Sequence, residues 1–213
     1  MPPVVSIVGK SNSGKTVLIE KLVGELKSRG YHVATIKHSP RESEFDKPGK
    51  DSWRHIQAGS EATAVSSPDG IVLIKPMTQK ATLDEVVSLI GEDYDIILAE
   101  GFKQGDAPKI EVHHKDNGGL LEGLKKLIAI VTDETLETRI RQFSPQDVGG
   151  LADLLEKGFT KPQSERISLF VNNTPVTLTL FPKQFISSVV LAMACCLKGV
   201  GEIRNLKLFV KKA

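Results

Sequence analysis

A mostly parallel β-sheet with helices on both faces is the fold this sequence predicts. Three observations predict it. The apolar run VVSIV leads straight into the glycine-rich GKSNSGKT and then into VLIEKL. Short apolar runs rich in β-branched residues recur through residues 1–159, continuous rather than alternating, as strands buried on both faces are. Segments of helical spacing lie between them, and that alternation puts helices over a parallel sheet.

Val4 to Val8 is the first strand. Thr16 to Arg29 is helical, with Leu18, Leu22 and Leu26 four apart and Gly30 as the C-terminal cap. Val33 to Lys37 completes a strand–loop–helix–strand unit. His38 to Lys50 is polar, holds two prolines and a glycine, and reads as a long exposed loop of the kind that carries function. A helix starts near Asp51 or Ser52, either of them a good N-cap, and stops before Gly59. Ala62 to Ser66 and Ile71 to Ile74 are strands split by the turn SPDG. Leu83 to Ile90 is helical, and Ile96 to Ala99 is a buried strand running into EGFK. Ile110 to Val112 and Leu127 to Val131 are further strands, and Val148 to Glu156 is a closing amphipathic helix.

The segment TKPQSER, residues 160–166, reads as a linker after a first domain of residues 1–159. Beyond it, Ile167 to Val171, a turn at NNTP and Val176 to Leu180 form a hairpin. A helix from about Gln184 to Leu197 and a last strand, Leu206 to Val210, complete a small β-β-α-β appendage over residues 167–213. So short a piece buries little core alone, so it is expected to pack on the main domain or on a partner.

The 213 residues carry a formal net charge of +2, which argues against a duplex-binding protein with its usual basic excess. The first apolar run ends at Gly9 and Lys10, too short for a signal peptide. FISSVVLAMACCL falls short of the roughly 20 residues of a membrane span. Neither nucleic acid nor membrane is therefore an expected partner, and the cytoplasm is the expected compartment. Cys195 and Cys196 are the only cysteines, and adjacency rules out a CxxC zinc pair. They read as small residues of a buried apolar helix.

GKSNSGKT has the spacing G-x-x-x-x-G-K-T. Gly9 and Gly14 permit backbone conformations that turn successive N–H groups onto phosphate oxygens, and the following helix adds its positive end. Lys15 is placed to reach the β- and γ-phosphates, and Thr16 to coordinate Mg²⁺. Gly9, Lys10, Ser11, Asn12, Ser13, Gly14, Lys15 and Thr16 are thus the candidate nucleotide-binding segment. A magnesium–triphosphate site also wants a carboxylate at the end of a neighbouring strand. YDIILAEGFK offers Glu100, either to hold the metal's water shell or to orient an attacking water, and Gly101 to let the backbone approach the γ-phosphate.

The exposed loop carries a second cluster, FDKPGKDSWRH. Asp46 and Asp51 are candidates for the metal or the water, and Lys47, Lys50 and Arg54 for phosphates. The competing reading is a solvated charge run capped by Asp51. Lys37 and His38 end the second strand beside it. After Leu127 to Val131, Asp133 is a candidate to accept from guanine N1 and its exocyclic amine, or else to cap a following helix. The NKxD guanine signature is absent.

GKSNSGKT, the IKH after the second strand, FDKPGKDSWRHIQAG, and ILAEGFK followed by PKIEV together resemble the molybdopterin-guanine dinucleotide biosynthesis protein B (MobB) family over about residues 4–158. The resemblance implies a dimeric GTP-binding adapter with weak Mg²⁺-dependent GTPase activity at most. It implies a P-loop NTPase-type fold and a MobA-type guanylyltransferase as partner, which attaches GMP to molybdopterin. It carries nucleotide binding onto Gly9 to Thr16, the family's loop motif onto Asp46 to Asp51 and the strand-end acid onto Glu100. Residues beyond about Arg166 lie outside the family pattern. Lys10 also makes the loop resemble that of dimeric ATPases in which an extra lysine reaches the opposite subunit's nucleotide; the competing reading is an exposed loop lysine. Two other functions fit a phosphate loop. A small-molecule kinase needs lid arginines, of which Arg139 and Arg141 are the only close pair. A passive carrier would hold a pterin–pyrophosphate ligand beside lysines 37, 47, 50 and 103.

Overall fold

The computed structural model describes residues 1–39, 46–159, 167, 169–171, 174–176, 178–203, 206, 208 and 210. The chain divides into two compact units, Pro2–Thr160 and Lys161–Ala213. In the first the order is β1 (Val4–Val8), α1 (Lys15–Ser28), β2 (Val33–Lys37), α2 (Asp51–Gln57), β3 (Thr63–Ser67), β4 (Gly70–Ile74), α3 (Leu83–Ile90), β5 (Ile96–Glu100), β6 (Lys109–His113), β7 (Leu127–Thr132), β8 (Gln142–Phe143) and α4 (Val148–Phe159).

Six of these strands form one sheet, ordered β2-β5-β1-β6-β7-β8, with every pairing parallel. β1 lies inside it, and Val5, Ile7 and Val8 are fully buried, as a continuous apolar run requires. The chain leaves β1 toward one edge through α1, then later returns to its other side at β6. The crevice at the carboxyl end of β1 is the switch point where ligands of such sheets bind.

Alternation along the strands divides the core. Val5, Ile7, Ile96, Leu98, Ile110, Val112, Ala129 and Val131 face Leu18, Leu22 and Leu26 of α1 and Leu151 and Leu155 of α4. Each buried Leu is worth about 1.5–3 kcal/mol, which fixes both helices to this face. Arg29 then ties the helices together, donating to Glu25 at 2.8 Å, Asp153 at 2.6 Å and Glu156 at 2.9 Å. α3 opens on a capping box between Thr82 and Glu85 and buries Leu83 and Val87. It borders the opposite side, where its first turn meets Val4 and the Gln104–Pro108 turn around an open cavity.

β3 and β4 pair antiparallel through the SPDG turn as a separate two-stranded sheet. Several element ends in this unit lie one to three residues from the sequence reading, and two further differences have a physical reason. β8 is only two residues long, too short to carry a pattern. α2 is capped by Lys50 with no side-chain cap bond, so Asp51 is its first residue and neither Asp51 nor Ser52 is the N-cap.

In the second unit β9 (Leu169–Val171) and β10 (Thr174–Val176) pair antiparallel, followed by α5 (Leu180–Cys195). The helix thus begins four residues before the expected Gln184, and the expected strand Val176 to Leu180 ends at Val176. Pro182 explains the shift: it sits in the first turn after the Thr179 cap, where no backbone N–H is needed. Cys195 and Cys196 are both exposed, because the buried position of this turn is taken by Ala194. Leu206, Leu208 and Val210 are not in a strand; the remainder of that expected strand, and the 160–166 linker, lie outside the described residues.

Candidate functional site

Every element of the site leaves the carboxyl edge of the sheet. β1 delivers the phosphate loop. Gly9 lies so close to its surroundings that a Cβ there would strike the Val112 carbonyl of β6 and come within 2.5 Å of Ser13 Oγ. The loop therefore hugs the strand ends, as a backbone cradle must. Asn12 (φ 60°) and Gly14 (φ 92°) take left-handed conformations, and Gly14 is the cap from which α1 begins. The Ser13 hydroxyl is buried without a hydrogen-bond partner among the described residues. Lys15 Nζ donates back across the loop to the Lys10 carbonyl at 2.6 Å. Burial pulls the Lys15 ammonium below the usual lysine range, the Glu100 carboxylate opposes that, and Lys103 adds to it.

β5, hydrogen-bonded beside β1, delivers the acid. Thr16 Oγ1 donates to Glu100 Oε2 at 3.1 Å. Gly101 follows at φ 99°, its N–H donating to the Ile7 carbonyl at 2.9 Å, and a Cβ there would come 3.1 Å from the His38 Cβ. His38, at the end of β2, donates its backbone N–H to the Glu100 carbonyl, and its ring packs on Phe102 with centroids 4.6 Å apart. These contacts hold Glu100 on three adjoining strand ends.

β6 and β7 deliver a third group. Asp133 accepts the Lys115 backbone N–H at 3.3 Å through Oδ1 and lies 3.2 Å from His114 Nε2 through Oδ2. Burial pushes its carboxyl up, but the backbone N–H groups of Lys115 and Asp133, with His114 and Lys115, outweigh that and leave it below the usual range. No helix follows, so the capping alternative for Asp133 does not arise. Lys10 Nζ donates to the Asn117 carbonyl at 3.0 Å, so one turn, residues 114–117, touches both the phosphate loop and Asp133.

Asp51 stands apart from these groups in its contacts. It is exposed, pairs with Arg54 at 3.6 Å, and borders a cavity against β3. Asp46 accepts from Lys47 N at 3.0 Å and Ser52 Oγ at 3.1 Å. Neither contact set includes Thr16 or Glu100.

Sequence reasoning missed Glu111 and His113. Both are buried on β6: Glu111 Oε1 accepts the Leu121 N–H at 2.7 Å, and His113 Nε2 lies 2.7 Å from Glu134 Oε1. Desolvation raises the Glu111 carboxyl, with the Leu121 N–H, His113, Lys10 and Lys103 opposing it. The signal was present as polar residues at every second position of KIEVH, a period-two face inside an apolar strand.

The residues fit a magnesium-bound triphosphate. The cradle has no room for a side chain at Gly9, and a buried hydroxyl faces it without a protein partner. Thr16 with one carboxylate is the sparse protein set that Mg²⁺ takes when phosphates and water complete its shell. Among the described residues no cluster of three or more His, Cys, Asp or Glu is placed to hold a metal. Nor is any helix among them long and apolar enough to cross a membrane.

A parallel sheet whose first strand runs through a glycine cradle into a helix, with an acid from the adjacent strand beside the helix's first threonine, defines the P-loop NTPase type of α/β protein. Known proteins resolve the class further. The family described as "Molybdopterin guanine dinucleotide synthesis protein B" matches residues 4–133. The molybdopterin-guanine dinucleotide biosynthesis adapter protein of Haemophilus influenzae is 33% identical over 156 residues, covering 72% of this chain and 88% of its own. That of Escherichia coli is 32% identical over 167 residues, covering 76% and 95%. The crystal structure of Bacillus subtilis MobB matches with a TM-score of 0.58 at 29% identity, over 76% of this chain and 99% of its own. The chain belongs to the MobB family.

Proposed function

We propose that this protein is a GTP-binding adapter of molybdenum cofactor biosynthesis. It assists the conversion of molybdopterin to molybdopterin-guanine dinucleotide and hydrolyses GTP slowly. The carrying observation is the Thr16–Glu100 contact of 3.1 Å at the mouth of the glycine cradle. Family membership supports the pathway, since the relatives are named adapters of that biosynthesis.

On this reading the backbone N–H groups of Gly9 to Thr16 grip the β- and γ-phosphates, and Lys15 leaves the Lys10 carbonyl to meet them. Thr16 and Glu100 hold Mg²⁺, which supplies charge neutralisation on the phosphate oxygens. Glu100 also faces the position of an attacking water. Asp133 accepts from the N1 and amine edge of guanine, which adenine lacks, once His114 gives way. The output is a difference in affinity for a MobA-type guanylyltransferase between nucleotide states. The protein acts as a homodimer in the cytoplasm. A kinase is disfavoured because Arg141, one of its two candidate lid arginines, lies over the Phe143 ring, 4.9 Å from its centroid.

Calorimetric titration with GTP, ATP and GDP, with and without Mg²⁺, tests the reading. Tight Mg²⁺-dependent GTP binding with turnover slower than about one per minute is the expected result. Rapid ADP production in the presence of an acceptor would replace it with a kinase. Retention of molybdopterin without binding of either triphosphate would replace it with a carrier.

A further inference from the structure

α5 carries apolar residues on every side, and a helix of that kind is stable in water only when something covers it. One side is already covered: Ala194 is buried, and Ile186, Val190 and Leu191 are half-buried. The opposite side is open. Phe181 is 74% exposed and Phe185 60%, and their rings are stacked on each other with centroids 6.2 Å apart. Ser188 and Ala192 follow on the same side, both exposed. Positions 181, 185, 188 and 192 have the spacing of a seam along which one helix packs on another. The one charged residue of the helix, Lys183, lies two positions from both Phe181 and Phe185 and therefore off the seam.

Two features of the seam say what covers it. The first is size. Both large side chains stand in its first half and both small ones in its second. A second α5 laid antiparallel sets Phe181 over Ala192 and Phe185 over Ser188, twice, about one two-fold axis. Large then meets small in every layer, as close packing requires, and the surface is self-complementary, as a two-fold pair needs. A parallel pair would crowd four rings into one half and leave the other slack. The second feature is charge. The helix has no acidic residue in its first turn, no basic residue in its last and no side-chain cap bond from Thr179. Its positive and negative ends are thus uncompensated within the helix, and an antiparallel neighbour sets each end beside its opposite. A lipid surface matches neither feature. A helix lying on one carries bulky apolar residues along its whole face, with a lysine- and arginine-rich face opposite.

We propose that α5 is an interface between copies of this chain, a second copy's α5 packing antiparallel on the seam of Phe181, Phe185, Ser188 and Ala192. The surface lies in the second unit, beyond residues 4–133 that the family model matches. It gives the homodimer proposed above one surface and is independent of the nucleotide reading.

Thiol crosslinking of the full chain tests it. In the antiparallel pair the two copies' Cys195 stand toward opposite ends, about 25 Å apart at about 1.5 Å per residue. A short bismaleimide should therefore not join copies of the parent through its own cysteines. In the background Cys195→Ser, Cys196→Ser, the substitution Ser188→Cys puts a thiol near the two-fold axis and should give a covalent dimer. Phe181→Ala and Ala192→Phe, both at exposed positions, should each lower the yield of that dimer by about tenfold. Combined, they exchange large for small within one layer and should restore the yield to within about threefold. A combined variant no better than the single ones would overturn the proposal, because only a second copy gains from the exchange. Joining of copies through the parent's own cysteines would overturn the antiparallel packing. No Ser188→Cys dimer at about 100 µM protein would overturn the interface itself. Sedimentation as a dimer would then assign the homodimer to other residues, and anionic vesicles that pellet the parent but not Phe181→Ala would assign the seam to lipid. The nucleotide reading fails separately, since absence of GTP binding leaves the Ser188→Cys dimer in place.

Discussion

Thr16 and Glu100 are 84 residues apart in the chain, yet Thr16 Oγ1 donates to Glu100 Oε2 at 3.1 Å. The pairing exists because β5 is hydrogen-bonded to β1 in parallel register, with Ile7 opposite Glu100. The strand that carries the acid therefore ends beside the strand that launches the loop. If the pair holds magnesium, Thr16→Ala and Glu100→Gln should each weaken Mg²⁺–GTP binding by about tenfold or more. Without magnesium both variants should match the parent. Calorimetry at two magnesium concentrations reads the difference, and an equal loss under both conditions would refute metal holding.

Asp133→Asn replaces an acceptor-only carboxylate with a group that also donates. The expected outcome is a collapse of the preference for GTP over ATP by about tenfold to a hundredfold, with the affinity for ATP little changed. Competition binding gives the ratio directly. A parallel fall in both nucleotides would mean that Asp133 only holds residues 114–115, where its present contacts lie.

Lys10→Ala removes the donor to the Asn117 carbonyl. Faster amide exchange over residues 117–121 is expected, because among the described residues Lys10 and Glu111 hydrogen-bond the backbone of this stretch. In this chain the same contact occupies Lys10 Nζ. GTP-dependent self-association and turnover that survive Lys10→Ala would remove the idea of a lysine acting across a dimer.

Glu111 gives a pH signature with a definite sign. Burial raises its folded-state pKa above the unfolded value, so the native state holds the proton more tightly. Its favourable contribution is complete below the unfolded glutamate range, near pH 4.3, and is lost as pH rises through the raised folded value. Glu111→Gln cannot ionise and keeps an oxygen for the Leu121 N–H. Melting curves should show parent and variant equal near pH 4, with the variant gaining by a few degrees toward neutral pH. A difference that does not change with pH would show that ionisation of Glu111 is not the cause.

Much of this was legible in the residues. β1, β2 and α3 have the bounds that the apolar runs indicate, because strands buried on both faces and a well-capped amphipathic helix carry their pattern locally. The glycine-rich loop between β1 and α1 was legible because its spacing puts Gly14 at the left-handed position that opens the helix. The Asp51 cap was misplaced by one residue, since Lys50 caps with its backbone alone and leaves no side-chain signature. The start of α5 was misplaced by four residues, because Pro182 is tolerated in its first turn. Glu111 and His113 went unnoticed because an apolar strand was read as uniform, when its alternate positions face a different environment.

By itself the sequence determined the glycine cradle after β1, the alternation that makes a parallel sheet, and the acid at the end of an apolar run. Each of these is encoded within a dozen residues by backbone freedom, periodicity or strand termination. Only the tertiary structure decided which of the candidate acids stand beside Thr16 and which do not. The chain offers Glu100, Asp46 and Asp51 for the metal or the water and Asp133 for the base, and strand order sorts them. β5 beside β1 brings Glu100 to the loop, β6 and β7 gather Asp133 onto the 114–117 turn, and α2 carries Asp51 to the β3 side. Strand order follows from how the faces bury against α1 and α4. That is a property of the whole sheet, so no local stretch could have announced it.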